Sequence, residues 1–229
     1  MSLDATPAGR PSFLNRAVNL LMRPKAEWAV IDAEPASIKG IYLSYLLIWL
    51  AVPAMCQLIG QLVFGVNVFG FIVRPPLFGT LVGVILNYAA MAAWIFVFAL
   101  IIDLFAPSFG GQKNAVQAFK AAAYAGAPSY VAGVLYLVIS LPFLGMLAWL
   151  GLFAAAVYGV YLLYLGLRNV MKSPADKAVL YTLVVCLVGG IIGFVLFFCV
   201  GLINTMAGAG AAGALAAQSA AQSAAMAKP

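Results

Sequence analysis

Few residues of this 229-residue chain could do chemistry, and most of them gather around one stretch. Asp103 closes a long apolar run, and beyond it come Gly110, Gly111, Lys113, Lys120, Tyr124 and Pro128. An acid in that place has two readings. It is a structural carboxylate, solvated at a membrane boundary or paired with Lys113 or Lys120, and it works against the helix dipole at a cost of about 0.3–1 kcal/mol. Alternatively it marks a cation or proton site. Tyr124 and Pro128 read as an interfacial anchor and a helix kink, or as a gate or partner site at the mouth of a bundle. Gln57, Gln61, Asn87 and Asn204 fall within or near apolar runs. There they either bond across helices, at about 0.6–2 kcal/mol each, or line a path for a substrate.

The inventory excludes more than it offers. The chain has no histidine, which removes the commonest general base and metal ligand. Cys56, Cys186 and Cys199 all sit in apolar runs, so they read as small buried side chains rather than a disulfide framework. No nucleophile–base pair, metal-ligand set or phosphate-cradling loop is visible. No enzyme activity and no cofactor are therefore expected. The net charge of +6 is spread over short loops, which fits membrane orientation and not a nucleic-acid partner.

Two-thirds of the residues are hydrophobic and 8% are charged, against about a quarter charged in soluble domains. Several runs reach the ~20 residues that cross a bilayer. The expected fold is an all-α membrane protein: a five-helix transmembrane bundle preceded by amphipathic surface helices. Residues 1–38 form an N-terminal segment whose first dozen residues read as disordered. Phe13, Leu14, Ala17, Val18 and Leu21 have helical spacing, too short to span, and Pro24 ends that helix. A second short helix follows, with Trp28 as its interfacial anchor. The membrane domain covers 39–206, with spans near 41–64, 77–102, 121–140, 143–167 and 179–206. Pro53 interrupts the first span, and residues 65–76 form a short loop. The apolar stretch 121–167, about 47 residues, is more than twice the bilayer core, so it is read as two crossings joined by a turn at Ser140–Phe143. Residues 207–229 are a low-complexity tail, disordered or weakly helical.

Orientation follows from the basic residues. With the N-terminus inside, Arg10, Arg16, Arg23, Lys25, Lys39, Lys113, Lys120, Arg168, Lys172 and Lys177 are cytoplasmic, and only Arg74 and Lys228 are outside. That bias predicts N-in and C-out. Because Met1 to Asn15 has no continuous apolar core, the first span is expected to act as its own insertion signal.

With that topology, a family resemblance can be stated. Arg23-Pro-Lys-Ala-Glu-Trp-Ala-Val-Ile31, Phe109-Gly-Gly111 and Ala123-Tyr-Ala-Gly-Ala-Pro128 occur in order, followed by Tyr158–Leu167 and Ser173-Pro-Ala-Asp-Lys-Ala178. Together they resemble the Yip family of Rab-GTPase-interacting membrane proteins, in particular its small bacterial branch, over about residues 20–205. The resemblance implies a bacterial cytoplasmic membrane and no established reaction. Eukaryotic relatives are associated with vesicle traffic through a motif resembling Asp-Leu-Tyr-Gly-Pro. Here Asp103-Leu-Phe-Ala-Pro107 keeps Asp, Leu and Pro but lacks Tyr-Gly, so Rab binding is not carried over. The expected function is a non-enzymatic scaffold that organises lipids or a partner membrane protein at the cytoplasmic face. The alternative is a small channel or transporter, which a cavity joining Asn87 to Asp103 would favour. Gly79-x-x-x-Gly83 and Gly189-x-x-x-Gly193 allow close helix approach, within the bundle or in a homo-oligomer.

Overall fold

The computed structural model describes residues 12–68 and 70–226. Residues 1–11 of the start expected to be disordered, including Arg10, and Lys228 in the tail lie outside the described residues, whereas Ser12 is ordered as a helix cap. The chain is all-α apart from one small hairpin. Ser12 caps α1 (Phe13–Met22), its hydroxyl accepting from the Asn15 amide. Pro24 then opens α2 (Pro24–Ala33) at a position where the missing N–H costs nothing. Ser37 caps α3 (Ile38–Phe64), which contains one wide π-helical turn at Tyr42–Leu46 and Pro53 in its interior. Gly65, at φ 79°, turns the chain into a hairpin of β1 (Val66–Val68) and β2 (Phe71–Val73), where a loop was expected. Next come α4 (Leu77–Phe105) with a 3-10 turn to Phe109, α5 (Ala115–Ala125), and α6 (Ala127–Ala132) with a 3-10 turn to Leu137. The chain closes with α7 (Pro142–Asn169) and α8 (Ala175–Met226). The backbone of α8 stays helical as far as Met226, within the tail read as disordered or weakly helical.

Among the described residues, four helical stretches are long and apolar enough to cross a bilayer: Ile38–Phe64, Leu77–Phe109, Pro142–Asn169 and Ala175–Met206. Only 17–28% of the most apolar window of each is buried inside the protein. Many apolar side chains of these stretches face outward, among them Leu43, Ile85, Phe153 and Phe194, which is favourable in a hydrocarbon solvent.

The segment expected as a single helix at 121–140 is instead broken. Tyr130 folds back over Gly126 so closely that a Cβ there would meet its hydroxyl at 2.3 Å. Pro128, lacking an N–H, begins α6 rather than kinking a continuous helix. The broken segment nevertheless runs beside α3 in the same direction. Phe119 stacks on Tyr42 at 4.9 Å, and Tyr124 meets Tyr45 edge-on at 4.7 Å. Gly133 lies against Pro53, and the Tyr136 and Leu137 carbonyls lie against Gly60.

Helices α4 and α8 run antiparallel in close contact. Cβ atoms added at Gly189 and Gly193 would meet Phe98 at 2.5 Å and Trp94 at 3.0 Å, and one at Gly83 would meet Asn204 at 3.4 Å. The Gly189-x-x-x-Gly193 face is thus filled from within the chain. The ends of α4 and α7 are also tied: the Gln112 amide donates to Met171 O at 2.8 Å, and the Ser173 hydroxyl to Phe109 O at 3.1 Å. Large fully buried side chains concentrate near that end, among them Trp28, Phe119, Tyr181, Leu162, Leu167 and Met171.

Gly60 gives a direct test of the packing between α3 and the broken segment. A Cβ at Gly60 would lie 2.5 Å from the Tyr136 carbonyl oxygen, which cannot swing aside, whereas Gly201 has nothing within 4 Å. Gly60→Ala is expected to lower stability by about 1–3 kcal/mol, the cost of overpacking. Gly201→Ala should leave it unchanged. Thermal unfolding of both variants in detergent micelles checks the difference.

Candidate functional site

The site is built where α1 and α2 fold onto the bundle. Along α2, Glu27, Ile31 and Glu34 recur at a spacing that places them on one side of the helix. Glu27, Trp28 and Ile31 are buried. On α1, Arg16, Ala17 and Leu20 are buried, while Leu14, Val18 and Met22 are exposed. An apolar stripe therefore faces outward and a cation faces inward. Arg16 Nη1 lies 3.3 Å from Glu27 Oε1, and Arg16 Nη2 donates to Glu34. Asn19 donates its amide to the other oxygen of Glu27 at 3.0 Å. The Arg16 guanidinium also lies 5.4 Å from the centroid of the Tyr124 ring, an attractive contact with the negative face of an aromatic.

Lys120 approaches the same cluster from α5. Its ammonium donates to the carbonyls of Ile31 at 2.7 Å and Glu34 at 2.6 Å. It thus satisfies two carbonyls left open where α2 ends and complements the negative end of that helix. Burial pulls the Lys120 ammonium below its ordinary value, Glu34 and Asp32 pull it back up, and Arg16 pushes it down again.

Beside this network is a cavity of about 500 Å³, lined by Phe13, Arg16, Glu34, Ser37, Ser44, Tyr45, Tyr124 and neighbouring backbone. The wide turn at Tyr42–Leu46 forms part of its wall; such turns are frequent at functional sites. Tyr45 is 3% exposed, and among the described residues its hydroxyl has no hydrogen-bond partner. Arg16 Nη1 touches Glu27 without a directed hydrogen bond. The arrangement can bind a polar group through hydroxyls, a guanidinium and a carboxylate.

The residues singled out from the sequence divide between places. Tyr124 lines the cavity, but it is buried under Arg16 and Tyr45 rather than standing as an interfacial anchor. Lys120 was expected at the surface and is instead 3% exposed, because the end of α2 supplies its acceptors. Trp28 was expected in the headgroup region and is instead fully buried against Gly166, where a Cβ would come within 2.8 Å of its ring. Gly110, at φ 71°, and Gly111 form a packed turn rather than a flexible one, since a Cβ on Gly111 would meet Met171 O at 2.9 Å. Lys113 is exposed, and Pro128 is buried at the start of α6. Asp103 is apart from the cavity lining. One of its oxygens is buried without a hydrogen-bond partner, and among the described residues it pairs with neither Lys113 nor Lys120. In the sequence, Arg16 counted only toward orientation, and neither Glu27 nor Glu34 was singled out. Their signal was the alignment of Glu27 with Ile31 and of Arg16 with Leu20.

Four apolar membrane-length helices, mostly unburied within the protein, make this an integral membrane protein of several spans. Residues 18–218 match the Yip1 domain, and the chain belongs to that family. It is 27% identical over 164 residues to the Inner membrane protein YohC of Escherichia coli strain K12, covering 71% of this chain and 82% of the relative. The protein of the same name from Escherichia coli O6:H1 strain CFT073 gives the same figures. No solved structure matches.

The charge network predicts an asymmetry between partial and complete removal. Arg16→Met leaves two carboxylates facing each other in a buried setting and is expected to cost about 3–5 kcal/mol. The triple variant Arg16→Met, Glu27→Gln, Glu34→Gln should recover most of that loss. Thermal unfolding in detergent, comparing single and triple variants, measures it.

Proposed function

We propose that the chain is a non-enzymatic membrane organiser, recruiting a partner membrane protein or lipids at the cytoplasmic face. The membrane is taken to be the bacterial inner membrane, following the name of the Escherichia coli relative. The observation that carries this reading is the cavity beside Arg16, Ser44 and Tyr124, open at the α1–α2 end of the bundle. A second cavity, containing Gln57 and Asn87, shares no lining residue with it, and neither lining contains Asp103. That separation favours a docking site over a transport path.

In the same proposal the chain crosses five times, N-in and C-out. The support is geometric: α7 ends beside the end of α4, and its 28 residues extend about 42 Å. In this reading the broken segment carries the chain to the far side before Pro142. Helix α1 rests in the interface, with Leu14, Val18 and Met22 toward the acyl chains and Arg16 toward protein. An alkaline phosphatase fusion at the C-terminus should be active in a bacterial host, and a fusion after Lys172 inactive. The reverse pattern would remove the fifth crossing.

Ser44→Trp fills the mouth while leaving the Arg16 network in place. From native membranes in mild detergent, wild type is expected to retain a stoichiometric protein or lipid that Ser44→Trp loses, at equal expression and melting temperature. If nothing is retained but Ser44→Trp alters solute flux in reconstituted vesicles, transport replaces the organiser reading.

A further inference from the structure

The second cavity has a chemistry of its own. It measures about 300 Å³ and is bounded by α3, α4, α8 and the 3-10 turn at Gly133–Leu137, which is large enough for the ring of a small molecule. Gln57 lies about 10 Å from the Phe64 end of α3, within its apolar span. Four polar side chains line the cavity: Gln57, Asn87, Tyr88 and Tyr136. Two are already engaged with backbone, Tyr88 donating to Leu47 O at 3.0 Å and Asn87 Nδ2 to Gly83 O at 2.9 Å. Asn87 keeps a carbonyl oxygen as acceptor. Among the described residues, neither the Gln57 amide nor the Tyr136 hydroxyl has a hydrogen-bond partner. Polar groups at membrane depth are ordinarily satisfied by a neighbouring helix, an ordered water or a ligand.

The geometry points to a binding site for a neutral, membrane-dissolved molecule whose flat ring carries carbonyl oxygens, a quinone head with an apolar tail. Gln57 Nε2 and the Tyr136 hydroxyl supply two donors from two different elements, matching two carbonyl acceptors. The aromatic rings of Tyr88, Tyr136 and Phe197 supply apolar walls, and Pro53 lines the cavity one turn before Gln57 on the same helix. Among the described residues no charged side chain lines the cavity, which disfavours a phospholipid headgroup: an ion there would lose its hydration without gaining a counterion.

The test uses the full chain purified in detergent and a benzoquinone bearing a decyl chain, with decylbenzene as the tail without carbonyls. The quinone is expected to raise the melting temperature saturably, and decylbenzene is not. Gln57→Leu and Tyr136→Phe should each weaken the apparent affinity by about tenfold, the scale of one buried hydrogen bond. Because both residues lack protein partners, the variants should melt no lower than wild type without ligand, so lost binding cannot be mistaken for lost folding. Ser44→Trp should bind the quinone normally, which separates this inference from the organiser proposal. Equal effects of quinone and decylbenzene, or unchanged affinity in both variants, would overturn it. So would the absence of any saturable shift, which would leave water as the only occupant.

Discussion

A buried guanidinium between two carboxylates is the constraint on which the rest depends. Arg16 reaches Glu27 and Glu34 from α1, and Lys120 reaches the end of α2 from α5. The charges balance, two basic against two acidic, so the cluster can be withdrawn from water without an uncompensated ion. Buried pairs of this kind contribute little net stability but penalise any arrangement that separates them. Here the penalised alternative is α1 and α2 lifting away from the bundle, so the network fixes a docked position that apolar packing alone would leave to slide.

The apolar contacts then follow. Trp28 fills the space left by Gly166, Phe119 stacks on Tyr42, and Tyr181 stacks on Phe109 at 5.1 Å. These large aromatic contacts sit at the end of the bundle held by the charge network. Toward the hairpin, Phe71, Ile72 and Val73 are all exposed.

Much of the fold was legible in the sequence because membrane spans are set by length and composition. Four of the expected spans appear as continuous helices, and Pro24 and Pro142 each open a helix, whereas the first span continues through Pro53, which was expected to interrupt it. The break at Gly126 was not legible, since it arises from Tyr130 folding onto a neighbour that has no side chain. The site was legible only through Tyr124 and Lys120. Arg16, Glu27 and Glu34 look like ordinary interfacial charges until a third helix supplies the other wall. Sequence spacing fixes which residues share a face of one helix, not which second helix that face meets. The same limit placed Trp28 in the headgroups, when its partner is a glycine distant in the chain.

The broken segment from Ala115 to Leu137 has one further consequence. It presents Tyr124 to one cavity and Tyr136 to the other, with Gly126 between them. Should it shift as a rigid body, a guest in either chamber would alter the shape of the other, and the two affinities would be reciprocally coupled. Should Gly126 yield as a pivot, each chamber would fill independently. If both cavities take guests, the stiffness of the joint at Gly126 sets whether they respond together or apart.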